Sequence, residues 1–171
     1  MKKIVIIGFG NLLMGDDGAG IQAAQALMTA SLPGNVEVID GGVASFEILD
    51  EVRSVDHIIL IDALAAGGQP GEIYHLLSEK LDNLKTIQGL SLHEFTLIDS
   101  LRLAKALGPM PPILIYGIEP ADVSFRWGLT TVVEQALQRL IPMIIASVTA
   151  EELAYDKQSR GERENVEREI F

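Results

Sequence analysis

The sequence predicts an α/β protein, a three-layer α/β/α sandwich around a mostly parallel sheet of about five strands with one antiparallel edge strand. Three observations carry this expectation. Short β-branched, apolar runs recur along the 171-residue chain at residues 4–7, 36–39, 57–61 and 113–118, apolar on successive positions as strands covered on both faces must be. Stretches with apolar residues at helical spacing alternate with them, and clusters of Gly and Pro mark the joints.

The first strand is read over residues 3–8. It ends in the turn Gly8-Phe9-Gly10-Asn11, and residues 20–28 then carry Ala, Gln and Leu at helical spacing. Pro33-Gly34-Asn35 makes a turn into a second strand, residues 36–39, which stops at Asp40-Gly41-Gly42. A helix is expected over residues 45–52. Residues 57–61 form the third strand, with Asp62 at its end and Gly67-Gly68-Gln69-Pro70-Gly71 closing the loop beyond. Residues 72–77 alternate enough to be the edge strand.

Ser91-Leu92-His93-Glu94 has the form of a capping box, in which the Ser91 hydroxyl and the Glu94 carboxylate satisfy free backbone donors at a helix start. That helix runs through Leu101, Leu103, Ala104 and Leu107 to Gly108, with Pro111-Pro112 blocking continuation. The last strand is Ile113–Ile118. Thr131 and Glu134 offer a second capping box, opening a helix expected to reach about Val148 with a kink or early break at Pro142, whose ring removes a backbone donor.

No internal repeat or low-complexity linker divides the chain, so residues 1–155 are read as a single α/β domain and residues 156–171 as a charged C-terminal tail. With 48% of residues apolar, one core suffices. Right-handed crossovers put the ends of the first and third strands side by side at one edge of the sheet, where such folds bind ligands. Asp17 and Asp62 both fall near those ends.

The composition removes several kinds of chemistry. There is no cysteine, which excludes disulfides, thiolate metal sites and cysteine nucleophiles, fits a cytoplasmic location and leaves His, Asp and Glu as metal ligands. Met1-Lys2-Lys3 precedes an apolar run that stops at Gly8, too short for a signal peptide, and no apolar stretch approaches the roughly 18 residues of a membrane span. No membrane insertion is expected. The formal net charge of −11 repels phosphate backbones, so nucleic acid is not an expected partner, and a protein or a cation is favoured instead. The same acid excess could also serve only to keep the chain in solution.

Gly8-Phe9-Gly10 after a first strand invites a dinucleotide-binding reading, but Leu13 stands where the third glycine belongs, and Asp16 and Asp17 would oppose a phosphate. Those carboxylates suit a metal ion, or one of them caps a helix while the other points elsewhere. Asp62 either caps a loop N–H or faces a cleft and holds a cation; its place at the rim of a buried strand favours the cleft. Asp40 carries the same two alternatives, with Gly41 and Gly42 leaving room for close approach. Of the three histidines, His57 and His75 fall in strands and His93 at a helix start. Two carboxylates and an imidazole make a mixed oxygen and nitrogen set that suits nickel or zinc. No Gly-x-Ser-x-Gly elbow or His-Glu-x-x-His pattern occurs, so any hydrolysis needs a carboxylate or metal-activated water.

Gly8-Phe9-Gly10-Asn11-Leu12-Leu13, Asp16-Asp17-Gly18-Ala19-Gly20, Asp40-Gly41-Gly42, Ile61-Asp62-Ala63, the His93 helix start and Gly117-Ile118-Glu119-Pro120 together resemble, in order and spacing, the hydrogenase maturation proteases. The resemblance runs from Lys3 to about Val148. It implies an endopeptidase, aspartic-type or metal-assisted, that removes the C-terminal extension of a nickel-iron hydrogenase large-subunit precursor once nickel is inserted. The metal-contacting and catalytic trio corresponds to Asp17, Asp62 and His93; many members carry Glu where this chain has Asp17, and Asp16 is left without a role. Asp40, Gly41 and Gly42 are the expected substrate-binding residues. The resemblance also implies no permanently bound cofactor, nickel(II) being supplied by the substrate, with other divalent ions able to substitute. A non-catalytic nickel-binding chaperone or sensor using the same three ligands is the alternative.

Overall fold

A computed structural model of the chain describes residues 2–78 and 97–158. The Ser91–Glu94 capping box, His93 and residues 159–171 of the expected tail lie outside the described residues. The strands are β1 (Ile4–Phe9), β2 (Val36–Gly42), β3 (His57–Ala63), β4 (Ile73–Leu77) and β5 (Ile113–Ile118); the helices are α1 (Ala19–Met28), α2 (Ser45–Glu51), α3 (Leu97–Ala106) and α4 (Thr131–Gln158), with a short 3-10 turn over Gly15–Gly18. The sheet order is β2-β1-β3-β5-β4. Every pairing is parallel except that of β4 with β5, so the expected five-stranded sheet with one antiparallel edge strand is present.

The central strands are apolar on both faces because both faces are covered. Ile4 and Ile6 of β1 and Ile59 and Ile61 of β3 point to the side where Ala23 and Leu27 of α1 and Val133, Leu140 and Ile144 of α4 lie. Val5 and Ile7, with Ile58 and Leu60, point the other way, against Leu49 of α2 and Leu101 and Ala104 of α3. Fully burying each such side chain stabilises the fold by about 1.5–3 kcal/mol, which is what holds three layers together without cross-links.

Sheet order also fixes where a site can form. From β1 the chain crosses by α1 to β2 on one side, and then returns to β3 on the other side of β1. The carboxyl ends of β1 and β3 therefore diverge into loops that leave in opposite directions, opening a crevice. The parallel register Gly8↔Ile61 sets the residues that follow β1 beside Asp62.

Two expectations change. The last helix does not break at Pro142: it continues to Gln158, past the end expected at about Val148. Pro142 and Gln138, whose carbonyl loses its partner, are both on the exposed face, where water replaces the missing bond, while Val133, Leu137, Leu140, Ile144 and Val148 hold the opposite face in the core. The second difference is at the start of this helix, where Thr131 is already helical and the Thr130 carbonyl accepts the first N–H bonds, from Val133 and Glu134. Among the described residues no helix is long and apolar enough to cross a membrane.

Candidate active site

The glycines of the opening loop work by being absent side chains. A Cβ on Gly8 would overlap the Gly20 carbonyl, and one on Gly20 would overlap the carbonyl oxygens of Ile61 and Phe9. The first turn of α1 thus lies directly on the carboxyl ends of β1 and β3. Gly10 adopts φ +136°, and a Cβ there would overlap the carbonyl oxygen of Asp17. The space that a nucleotide-binding loop would give to pyrophosphate is filled here by the protein's own backbone carrying Asp17.

Asp16 and Asp17 have separate tasks. Asp16 is fully buried, and its carboxylate accepts the backbone N–H groups of Ala121 (2.8 Å), Asp122 (2.9 Å) and Thr130 (2.6 Å) and the Thr130 hydroxyl (2.9 Å). It ties both ends of the loop between β5 and α4 to the 3-10 turn, and holds the residue from which α4 starts. The Thr130 hydroxyl is spent on this bond. With Asp16 so engaged, Asp17, also buried, is the one whose charge acts on Asp62.

Asp62, at the end of β3, is partly buried, and its Oδ1 accepts the Ala63 N–H at 2.8 Å. Of the two sequence alternatives the structure shows a backbone cap, made not to a loop N–H but to that of Ala63, the last residue of β3. Removal from water pushes its pKa up to about 8, the charge of Asp17 pushes in the same direction, and the Ala63 N–H opposes them weakly. At neutral pH Asp62 is mostly a neutral acid beside a second carboxyl. Such a pair takes up a divalent cation by releasing a proton, or trades a proton with a bound water.

The remaining residues singled out in the sequence fall around this centre. Asp40 is exposed at the end of β2, where it accepts the Gln25 side-chain amide and the Gly42 N–H, each at 3.1 Å. The room expected at Gly41 is taken by the Phe9 ring and Ile7, whereas Gly42, at φ +52°, has open space where a side chain would be. His57 and His75 lie in β3 and β4, as expected, and burial lowers the His57 pKa. His93 is outside the described residues, and among those described no group of three or more His, Cys, Asp or Glu is arranged to hold a metal.

Glu119 received no role from the sequence, yet it is buried and accepts the Ala66 N–H (2.8 Å), the Gly67 N–H (3.3 Å) and the Tyr74 hydroxyl (2.7 Å). It fixes the loop that leaves Asp62. Its signals in the sequence were its place after an apolar strand, which it shares with Asp62 and Asp40, and its presence in the Gly117-Ile118-Glu119-Pro120 segment of the resemblance.

Comparison with known proteins shows the family and the fold. A family model described as hydrogenase maturation protease (HycI) matches residues 21–147. The hydrogenase 2 maturation protease of Escherichia coli is 31% identical over 149 residues, covering 85% of this chain and 90% of that protein. The hydrogenase expression/formation protein HupD of Thiocapsa roseopersicina is 28% identical over 165 residues, covering 90% and 75%. Among solved structures, the hydrogenase maturating endopeptidase HybD from E. coli superposes with a TM-score of 0.76 at 30% identity, over 87% of this chain and 93% of that one.

Proposed function

The chain belongs to the hydrogenase maturation protease family, and from that premise we propose that it is a cytoplasmic endopeptidase that removes the C-terminal extension of a nickel-iron hydrogenase large-subunit precursor after nickel insertion. The observation that carries the reading is the buried Asp17 acting electrostatically on Asp62 at the carboxyl ends of β1 and β3, with the Asp62 pKa raised to about 8.

Nickel arrives as part of the substrate. Asp17, Asp62 and His93 complete its coordination, and Asp62 gives up its proton as the cation approaches, because a nearby positive charge reverses the burial and repulsion that keep it neutral. A precursor without nickel offers nothing to offset that repulsion. Recognition is thereby coupled to metal insertion. A carboxylate of the pair, or the polarised cation, then activates the water that attacks the scissile carbonyl. The exposed Asp40 and the open space at Gly42 suit a role in holding the peptide backbone.

The test is to incubate the protein with nickel-loaded and nickel-free precursor and weigh the products. Loss of a C-terminal peptide from the loaded precursor alone is the expected result. Transfer of metal without any mass change would identify a nickel chaperone instead, and equal cleavage of both precursors would remove nickel from the recognition step.

A further inference from the structure

The loop between β5 and α4 is fastened at three points. Asp16 binds both of its ends, through Ala121 and Asp122 on one side and Thr130 on the other. Its middle is bridged to the segment before Asp16: the Arg126 N–H donates to the Leu13 carbonyl (3.0 Å), and the Gly15 N–H donates to the Arg126 carbonyl (2.9 Å). Leu129 is buried beneath it. Loops fixed this firmly usually cover something, but this one displays its two largest apolar side chains to water: Phe125 is 80% exposed and Trp127 is 72% exposed, with Leu13 beside them at 49%.

From this we infer that Phe125, Trp127 and Leu13 form a preorganised docking surface for apolar side chains of the precursor that flank the segment presented to Asp17 and Asp62. The inference rests on the peptidase reading above. Two features favour this occupant. The backbone that carries the surface is joined to the site, since Leu13 and the Arg126 bridge lead through Met14, whose carbonyl accepts the Asp17 N–H, to Asp17 itself. The one charged residue between the aromatics in sequence, Arg126, is paired: its guanidinium is 3.4 Å from Asp122, in a chain of net charge −11. An apolar protein surface is accepted there, whereas an anionic membrane is repelled by the whole molecule. Aromatic side chains on a rigid loop bind with little ordering cost, because the loop is already held in place.

Trp127 is the one tryptophan in the chain, so growth on fluorotryptophan gives a single fluorine NMR resonance at the surface itself. The catalytically disabled Asp62→Asn protein, labelled this way, is titrated with nickel-loaded precursor, and the resonance is expected to shift and broaden. In the active protein, Phe125→Ser with Trp127→Ser raises KM for the precursor by about tenfold or more, the loss falling mainly on KM and not on kcat. Leu107→Ser, at the opposite rim before β5, is the control and leaves both unchanged. Cleavage with an unmoved resonance and an unmoved KM overturns the docking surface while leaving the peptidase reading intact. A shifted resonance on a precursor that is never cut supports docking and sinks the peptidase reading. A resonance that shifts with protein concentration alone, or with anionic vesicles, overturns the inference by assigning the surface to a second copy or to a membrane.

Discussion

The Cα of Gly20 lies against the carbonyl oxygen of Ile61 so closely that a methyl group would overlap it, and would overlap the Phe9 carbonyl as well. Backbone-to-backbone contact between α1 and the ends of β1 and β3 is what brings Asp17 to Asp62. Gly20→Ala is therefore expected to force α1 outward, at a cost of about 3 kcal/mol measured by urea unfolding. The same displacement withdraws Asp17 and lowers the Asp62 pKa, which carbon NMR titration reads. An alanine variant with unchanged stability and an unchanged Asp62 titration would show that the glycine is not needed for the approach.

Burial and the Asp17 charge raise the folded-state pKa of Asp62 from 3.8 to about 8. Between those values the native protein holds a proton that the unfolded chain has released, so stability falls as pH rises across the window and levels off above about pH 8. The contribution is full below the unfolded pKa and lost through the folded one. Asp62→Asn removes this slope, and relative to the parent the variant gains on the order of 4 kcal/mol between pH 5 and pH 8.5. Chemical denaturation of the metal-free proteins at both pH values checks it; parallel pH profiles would contradict the raised pKa.

Much of the sheet was legible because its signals are local. Ile113–Ile118 falls where the sequence put it, bounded by Pro111-Pro112 before and Glu119-Pro120 after. Asp62 was legible because a carboxylate that ends an apolar strand must either be capped by a loop N–H or turn toward a cleft. What could not be read depends on contacts distant in sequence. Nothing near Asp16 says that its partners are Ala121, Asp122 and Thr130, so it could not be told from Asp17. Gly8 and Gly10 invite a phosphate-loop reading that Leu13 interrupts; only the packing of α1 on β1 and β3 shows that the glycines at 8, 10 and 20 admit backbone. A break at Pro142 does not occur because the proline's cost is local, whereas the buried stripe from Val133 to Val148 that keeps α4 in one piece belongs to the tertiary structure.

Asp16→Ala leaves three backbone donors and a hydroxyl without their acceptor at a buried position. The expected loss is about 3–5 kcal/mol of stability, in the range for removing one partner of a buried charged network. Because the same carboxylate fastens the loop carrying Trp127, fluorescence anisotropy of that side chain should fall in the variant at temperatures where it is still folded. Unchanged melting and unchanged anisotropy would mean that the loop is held by its other contacts, the Leu13–Arg126 bridge above all.

Asp17→Ala is expected to separate catalysis from stability in the opposite sense. Neighbouring like charges destabilise each other, so removing the Asp17 carboxyl relieves the repulsion that helps raise the Asp62 pKa. The Asp62 pKa should fall, and stability at pH 8 should not decrease through this pair. Processing of the nickel-loaded precursor, by contrast, should drop by about a hundredfold or more, as should that of Asp62→Ala and His93→Ala, since in the proposed mechanism each removes one ligand of the substrate's metal. Single-turnover cleavage followed by mass spectrometry gives the rates, and thermal melts of the same samples give the stabilities. Normal processing by any one of the three variants would take that residue out of the site; normal processing by both aspartate variants would mean that the crevice between β1 and β3 is not where the peptide bond is cut.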